Sequence, residues 1–167
     1  MKIFINNTRT KVLPCLLFLL FINIFVVSCT YKSGLNSSAQ DADGNLIHLS
    51  DYRGKWIVLN YWASWCGHCQ AEIPELNAFY QAHNQKDAVV LAVNIDQTDN
   101  QQLPQVIKQL NINYPVLAYP GPAIGIHEIP GIPTSFLINP HGQLVETIFG
   151  ELTKQKLEKE MNLSSDG

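Results

Sequence analysis

The feature that most constrains this chain is the run Trp56-Ile57-Val58-Leu59-Asn60-Tyr61-Trp62, which opens four residues later on Cys66-Gly67-His68-Cys69. Seven residues broken only by Asn60 read as a central β-strand buried on both faces. Such a strand needs neighbours on either side and a covering layer above and below. Residues 67 to about 84 read as a helix carrying Pro74, where a missing N–H and the ring favour a kink. Ala88 to Asn94 is a second buried strand, and Gln101 to Leu110 a second helix with Leu103, Val106, Ile107 and Leu110 on one face. The resulting βαβ unit requires a parallel pair. A short strand at Pro115–Ala118 follows, then a hairpin, Thr134–Ile138 and Leu144–Phe149 about the turn Asn139-Pro140-His141-Gly142, and a closing helix from Leu152 to Leu163. The class is α/β, a central mixed sheet flanked by helices on both faces.

Ahead of this domain, Lys2, Arg9 and Lys11 precede the apolar run Val12–Val27, the pattern of a signal peptide. At 16 residues the run is short of the roughly 18 to 20 that a bilayer span needs, though an anchor helix stays open. It ends Val26-Val27-Ser28-Cys29, which resembles the lipobox of bacterial lipoproteins, implying lipid on Cys29 and membrane attachment through it. An ordinary signal peptide with a chance cysteine is the alternative. Thr30 stands where an aspartate would resemble an inner-membrane retention signal, which points to the outer membrane and a periplasm-facing protein. The expected organisation is a signal peptide over 1–28, a polar tether over 29–42 and one domain over 43–167. Asp43-Gly44 is a turn signal ahead of a short strand at Leu46–Leu49, and the first hairpin is expected there.

Cleavage before Cys29 removes three positive charges and no acidic residue, taking the formal charge from −3 to −6. Nothing in that balance offers a footprint for nucleic acid. A charged fraction of 15% with 10% aromatics argues against disorder.

Four cysteines, at 15, 29, 66 and 69, admit two disulfides, a thiolate metal site or redox chemistry. Spacing i, i+3 at a helix start puts Cys66 and Cys69 on one face. Cys66 then meets the unpaired N–H groups and positive dipole end, which stabilise its thiolate. Cys69, one turn inside, suits a thiol that resolves the mixed disulfide. His68 places a positive charge beside that thiolate or is simply solvated. An inert structural bridge usually closes a longer loop. Haem attachment needs a histidine after the second cysteine, where Gln70 stands, and no further cysteine remains in the domain for a thiolate-rich zinc site. No cofactor and no metal is expected.

Trp62-Ala63-Ser64-Trp65-Cys66-Gly67-His68-Cys69 together with Gly131-Ile132-Pro133-Thr134 resembles the active site and cis-proline loop of the thioredoxin fold, over residues 43 to 163. Within it, Cys69-x-x-Glu72-x-Pro74 is similar to the TlpA/ResA branch of membrane-tethered, extracytoplasmic thioredoxins. The resemblance implies a thiol–disulfide oxidoreductase with Cys66 as nucleophile and Cys69 as resolving thiol, paired as a redox-active disulfide. It implies a cis Ile132–Pro133 bond beside that disulfide, with Ile132 backbone and Trp65 contacting substrate and Trp62 in the core. Gly67 and His68 tune the pair. Glu72 takes or passes the Cys69 proton, or is a solvated charge at the helix start. Asn60 stands where ordinary thioredoxins carry a buried aspartate, so a base for Cys69 falls to Glu72. The implied partners are protein thiols and disulfides, such as apocytochrome c or other envelope proteins, and a membrane redox protein that supplies or accepts electrons. Cys-Gly-His-Cys resembles disulfide isomerases, so the direction of exchange stays open. His48, His83, His127 and His141 show no ligand spacing and are expected at the surface.

Two other classes are open. A peroxiredoxin-type thiol peroxidase shares the fold, but its proline-and-threonine approach is missing before Cys66. A copper-binding assembly module of the same fold carries a longer cysteine spacing and a distant histidine.

Overall fold

A computed structural model describes residues 34–96, 102–125 and 128–163. The signal peptide, the lipobox, Cys15, Cys29 and His127 lie outside the described residues.

The strands are β1 (Ser38–Gln40), β2 (Leu46–His48), β3 (Trp56–Trp62), β4 (Ala88–Asn94), β5 (Val116–Leu117), β6 (Thr134–Ile138) and β7 (Leu144–Phe149). The α-helices are α1 (Gly67–His83), α2 (Leu103–Gln109) and α3 (Lys154–Met161). Five strands form one sheet in the order β5-β4-β3-β6-β7. β3 runs parallel to β4 and antiparallel to β6, so that Tyr61 stands between Val93 on one side and Thr134 on the other. β6 and β7 form the expected hairpin, Thr134 opposite Phe149, with a register irregularity at Leu137/Ile138. The central position of β3 follows from its composition, since only a strand of this apolarity can be enclosed from Ile57 to Trp62.

Alternation along the strands divides the interior in two. Val58, Trp62, Val90 and Ala92 face a cluster that holds Cys66, Cys69, Ile73, Leu76 and Phe79 with Leu157 and Met161 of α3, and Leu103 of α2. Ile57, Leu59, Tyr61, Val89, Leu91 and Val93 face the second cluster, closed by Leu35, Leu49 and Leu117.

Residues 34–42, expected to belong to the polar tether, are structured. Gly34–Asn36 is a 3-10 turn and β1 pairs with β2, Ser38 opposite His48. Leu35, at 2% exposure, supplies the apolar anchor. Ala42 N–H donates to Val116 O and Ala118 N–H to Gln40 O, each at 2.9 Å, so the hairpin is stitched to β5. A polar composition hid this, because one leucine and backbone pairing suffice to dock the segment.

α1 continues through Pro74 to His83. The expectation of surface histidines holds for His48 and His141, which are not buried, and fails for His83. His83 is 2% exposed, with Nδ1 2.9 Å from Asp87 Oδ1 and Nε2 3.1 Å from Glu158 Oε1. It joins the end of α1 to α3, which no spacing of histidines announces.

Candidate active site

The C-terminal end of β3 delivers the chain into a short turn that positions the cysteines. Ser64 N–H is held by the Asp96 carboxylate at 3.1 and 3.2 Å, and Gln70 Nε2 donates to Ser64 O at 2.6 Å. Cys66 N–H donates to Ala63 O at 3.2 Å. α1 then begins, with Cys66 as its N-cap: its Sγ accepts the Cys69 N–H at 3.2 Å. That is the role a serine or aspartate oxygen plays at other helix starts, satisfying one orphan donor.

Cys66 and Cys69 form a disulfide with Cα atoms 5.2 Å apart. Both residues are buried, Cys66 at 7% exposure and Cys69 at 1%, so Cys66 is the less enclosed of the two. Trp65 beside it is 72% exposed.

Because β6 runs antiparallel to β3, Ile132 and Pro133, which precede Thr134, lie at this same end of the sheet. The Ile132–Pro133 bond is cis. Thr134 Oγ1 donates to Gly131 O at 2.7 Å, closing the loop. Ile132 packs against the cluster that contains both cysteines. A cavity of about 260 Å³ opens between Pro130–Thr134 and Phe149–Gly150, and Phe149 is 62% exposed.

Glu72, three residues after Cys69, is 1% exposed. The alternative of a solvated charge is thereby overturned: α1 turns this side chain inward, towards the sheet. Asn60 Nδ2 donates to Glu72 Oε1 at 2.8 Å and to Ser135 Oγ at 3.0 Å, and the Leu152 N–H donates to Glu72 Oε2 at 2.9 Å. Burial disfavours the charged carboxylate and pushes Glu72 up to about 7, against the two hydrogen bonds, with the Glu151 charge adding to the rise. Tyr114, buried nearby, has its phenol raised far above the ordinary range by burial and by Glu72.

His68 is turned to the surface, its Nδ1 2.6 Å from Glu151 Oε1, the two side chains 82% and 47% exposed. Gly67 has open space where a Cβ would stand. Asp96, Ser135, Glu151 and Leu152 escaped the sequence reading. Nothing in their spacing connects them to the cysteines, since each arrives from another strand end.

A disulfide at a strand-to-helix junction, a cis-proline loop at the same end of the sheet and a mixed five-stranded sheet define a thioredoxin-fold thiol–disulfide oxidoreductase. The chain belongs to the AhpC/TSA family, whose model matches residues 33–147. It is 36% identical to thiol-disulfide oxidoreductase ResA of Bacillus anthracis over 128 residues, 76% of this chain and 73% of that protein. Against ResA of Bacillus subtilis (strain 168) the identity is 29% over 99% of this chain and 95% of the relative. Among solved structures, StoA from Bacillus subtilis superposes with a TM-score of 0.60 at 29% identity, covering 73% of this chain and 92% of StoA. A putative thiol:disulfide interchange protein DsbE from Chlorobium tepidum gives 0.64 at 27%, covering 77% and 92%.

Proposed function

We propose that this oxidoreductase works outside the cytoplasm on cysteines of protein substrates, with Cys66 as the attacking sulfur. The observation that carries the assignment is the disulfide at the start of α1, whose Cys66 is the N-cap and the less enclosed of the two residues.

In the reducing direction, the Cys66 thiolate attacks a substrate disulfide. A bond forms between Cys66 Sγ and one substrate sulfur, and the other substrate sulfur leaves as a thiolate that takes a proton. Cys69 then loses its proton, for which Glu72 is the buried acceptor one turn further along α1. The Cys69 thiolate attacks Cys66 Sγ, the mixed disulfide breaks, and the second substrate thiolate departs. The substrate has gained two electrons and the Cys66–Cys69 disulfide has formed. Run backwards, the same steps oxidise a substrate dithiol.

Trp65, Ile132 and Pro133 line the approach to Cys66, and the Ile132 backbone is the pairing edge for an extended substrate strand. Gly67 lets that strand come close, and His68 adjusts the charge at the thiolate. Substrates of this kind include apocytochrome c and other envelope proteins, and a membrane redox protein closes the cycle. Lipid on Cys29 holds the domain at the outer membrane, facing the periplasm; the support is the signal-peptide pattern and Val26-Val27-Ser28-Cys29. Among the described residues, no helix is long and apolar enough to cross a membrane.

Cys66→Ala abolishes dithiothreitol-driven insulin reduction by the full chain if this reading holds, and retained turnover refutes it. Cys69→Ala freezes the mixed disulfide on Cys66, from which mass spectrometry names the substrate. Radiolabelled palmitate incorporation that persists in Cys29→Ala refutes the lipid anchor.

A further inference from the structure

Three consecutive residues after β7 each touch a different part of the active site. Gly150 N–H donates to Pro133 O at 2.9 Å, Glu151 Oε1 meets His68 Nδ1 at 2.6 Å, and Leu152 N–H donates to Glu72 Oε2 at 2.9 Å. The backbone on either side of Glu151 is therefore fixed by its neighbours' hydrogen bonds. An ordinary exposed ion pair loses most of its worth to side-chain freedom and screening. Here the carboxylate is aimed at one imidazole, two residues from Cys66.

We propose that Glu151 is a positioning residue for disulfide exchange: it holds the His68 imidazole and sets the net charge beside Cys66, and thereby sets how strongly the Cys66–Cys69 pair oxidises. The inference rests on Cys66 being the attacking sulfur. The reduced form carries a thiolate there that the disulfide lacks, so charge near Cys66 weighs on one redox state alone. A protonated His68 favours that thiolate, and Glu151 cancels it. The partner of Glu151 is His68 of α1, and its negative charge adds to the rise on the buried Glu72, also of α1. The neighbouring cation, Lys154, is engaged elsewhere: its Nζ lies 3.4 Å from Glu158 Oε1.

The test equilibrates the full chain with reduced and oxidised glutathione at about pH 6 and about pH 8.5, on either side of the ordinary imidazole value. The dithiol fraction is read by alkylation and mass spectrometry. At the lower pH, Glu151→Gln shifts the equilibrium about two- to fivefold towards the dithiol, the size expected for one partly exposed charge. Glu151→Lys shifts it further in the same direction. His68→Ala shifts it by a similar factor towards the disulfide, and the double variant Glu151→Gln/His68→Ala returns to the wild-type value. At the higher pH the Glu151→Gln shift keeps its sign. An unchanged equilibrium in Glu151→Gln, or shifts of the same sign in both single variants, overturns the proposal. Insulin turnover in Cys66→Ala tests the underlying reading separately, so the two failures are distinguishable.

Discussion

Asn60 donates to Glu72 across 2.8 Å in the interior of the protein, from the central strand to the helix that carries both cysteines. Leu152 supplies the second donor, so each carboxyl oxygen accepts one hydrogen bond and keeps a lone pair for a proton. An aspartate at position 60 would compete with Glu72 for protons; an amide only steadies it. The carboxyl is poised at about 7, where it can both accept and return a proton.

That poise makes stability fall as pH rises. The folded Glu72 holds its proton up to about 7, whereas in the unfolded chain it ionises near the ordinary value of 4.5. Between those two values the folded state binds more protons, so its advantage is complete below about pH 4.5 and is lost as pH rises through 7. The loss is on the order of 3 kcal/mol from this one group. Urea unfolding of wild type at acid and alkaline pH should show it, and Glu72→Gln should remove most of the difference.

Asn60→Asp brings two carboxyls into hydrogen-bond contact in a buried site, where they share one proton. The upper apparent pKa of the pair should move above the wild-type value by about a unit or more. The pH dependence of mixed-disulfide resolution, followed by stopped-flow fluorescence, reads that shift.

Alkylation of the reduced protein should label Cys66 well before Cys69. The helix start favours the Cys66 thiolate, and Cys69 is enclosed at 1% exposure. A rate ratio of about ten or more, measured by peptide mapping after timed iodoacetamide quenching, is expected.

Gly121→Ala should destabilise the fold by about 1 to 3 kcal/mol. Gly121 has φ +78°, and a Cβ there would stand 2.8 Å from Val93 Cγ2 of β4. Denaturant midpoints measure the loss, and the redox equilibrium should stay unmoved.

His83→Ala should cost about 2 to 4 kcal/mol, since it removes a buried imidazole and its contacts to Asp87 and Glu158. Thermal unfolding checks this, and His83→Gln, which keeps a donor, should recover part of it.

The sequence was legible wherever a local period or a strong local motif carried the information. β3, the β6–β7 hairpin and α1 follow from apolar runs and turn residues, and Cys66-Gly67-His68-Cys69 declares itself by standing between a buried strand and a helix. Glu72 was reachable through its i, i+3 relation to Cys69, but its enclosure was not, because burial depends on Asn60 and Leu152 packed against it. Leu35 and β1 were lost in a polar stretch whose order comes from pairing with β2 and β5. His83 and Glu151 were invisible for the same reason: their partners lie 75 and 83 residues away in the chain, at Glu158 and His68.

The three-residue segment Gly150-Glu151-Leu152 also orders events during the protein's making. A growing chain carries its cysteine pair, and Asn60 with its bond to Glu72, before Gly150 emerges, so a nascent or truncated polypeptide ending ahead of Gly150 lacks the Leu152 donor on Glu72 and the Glu151 carboxylate on His68. The contacts that join Pro133, His68 and Glu72 to one backbone segment are therefore completed only after every strand of the sheet has been made.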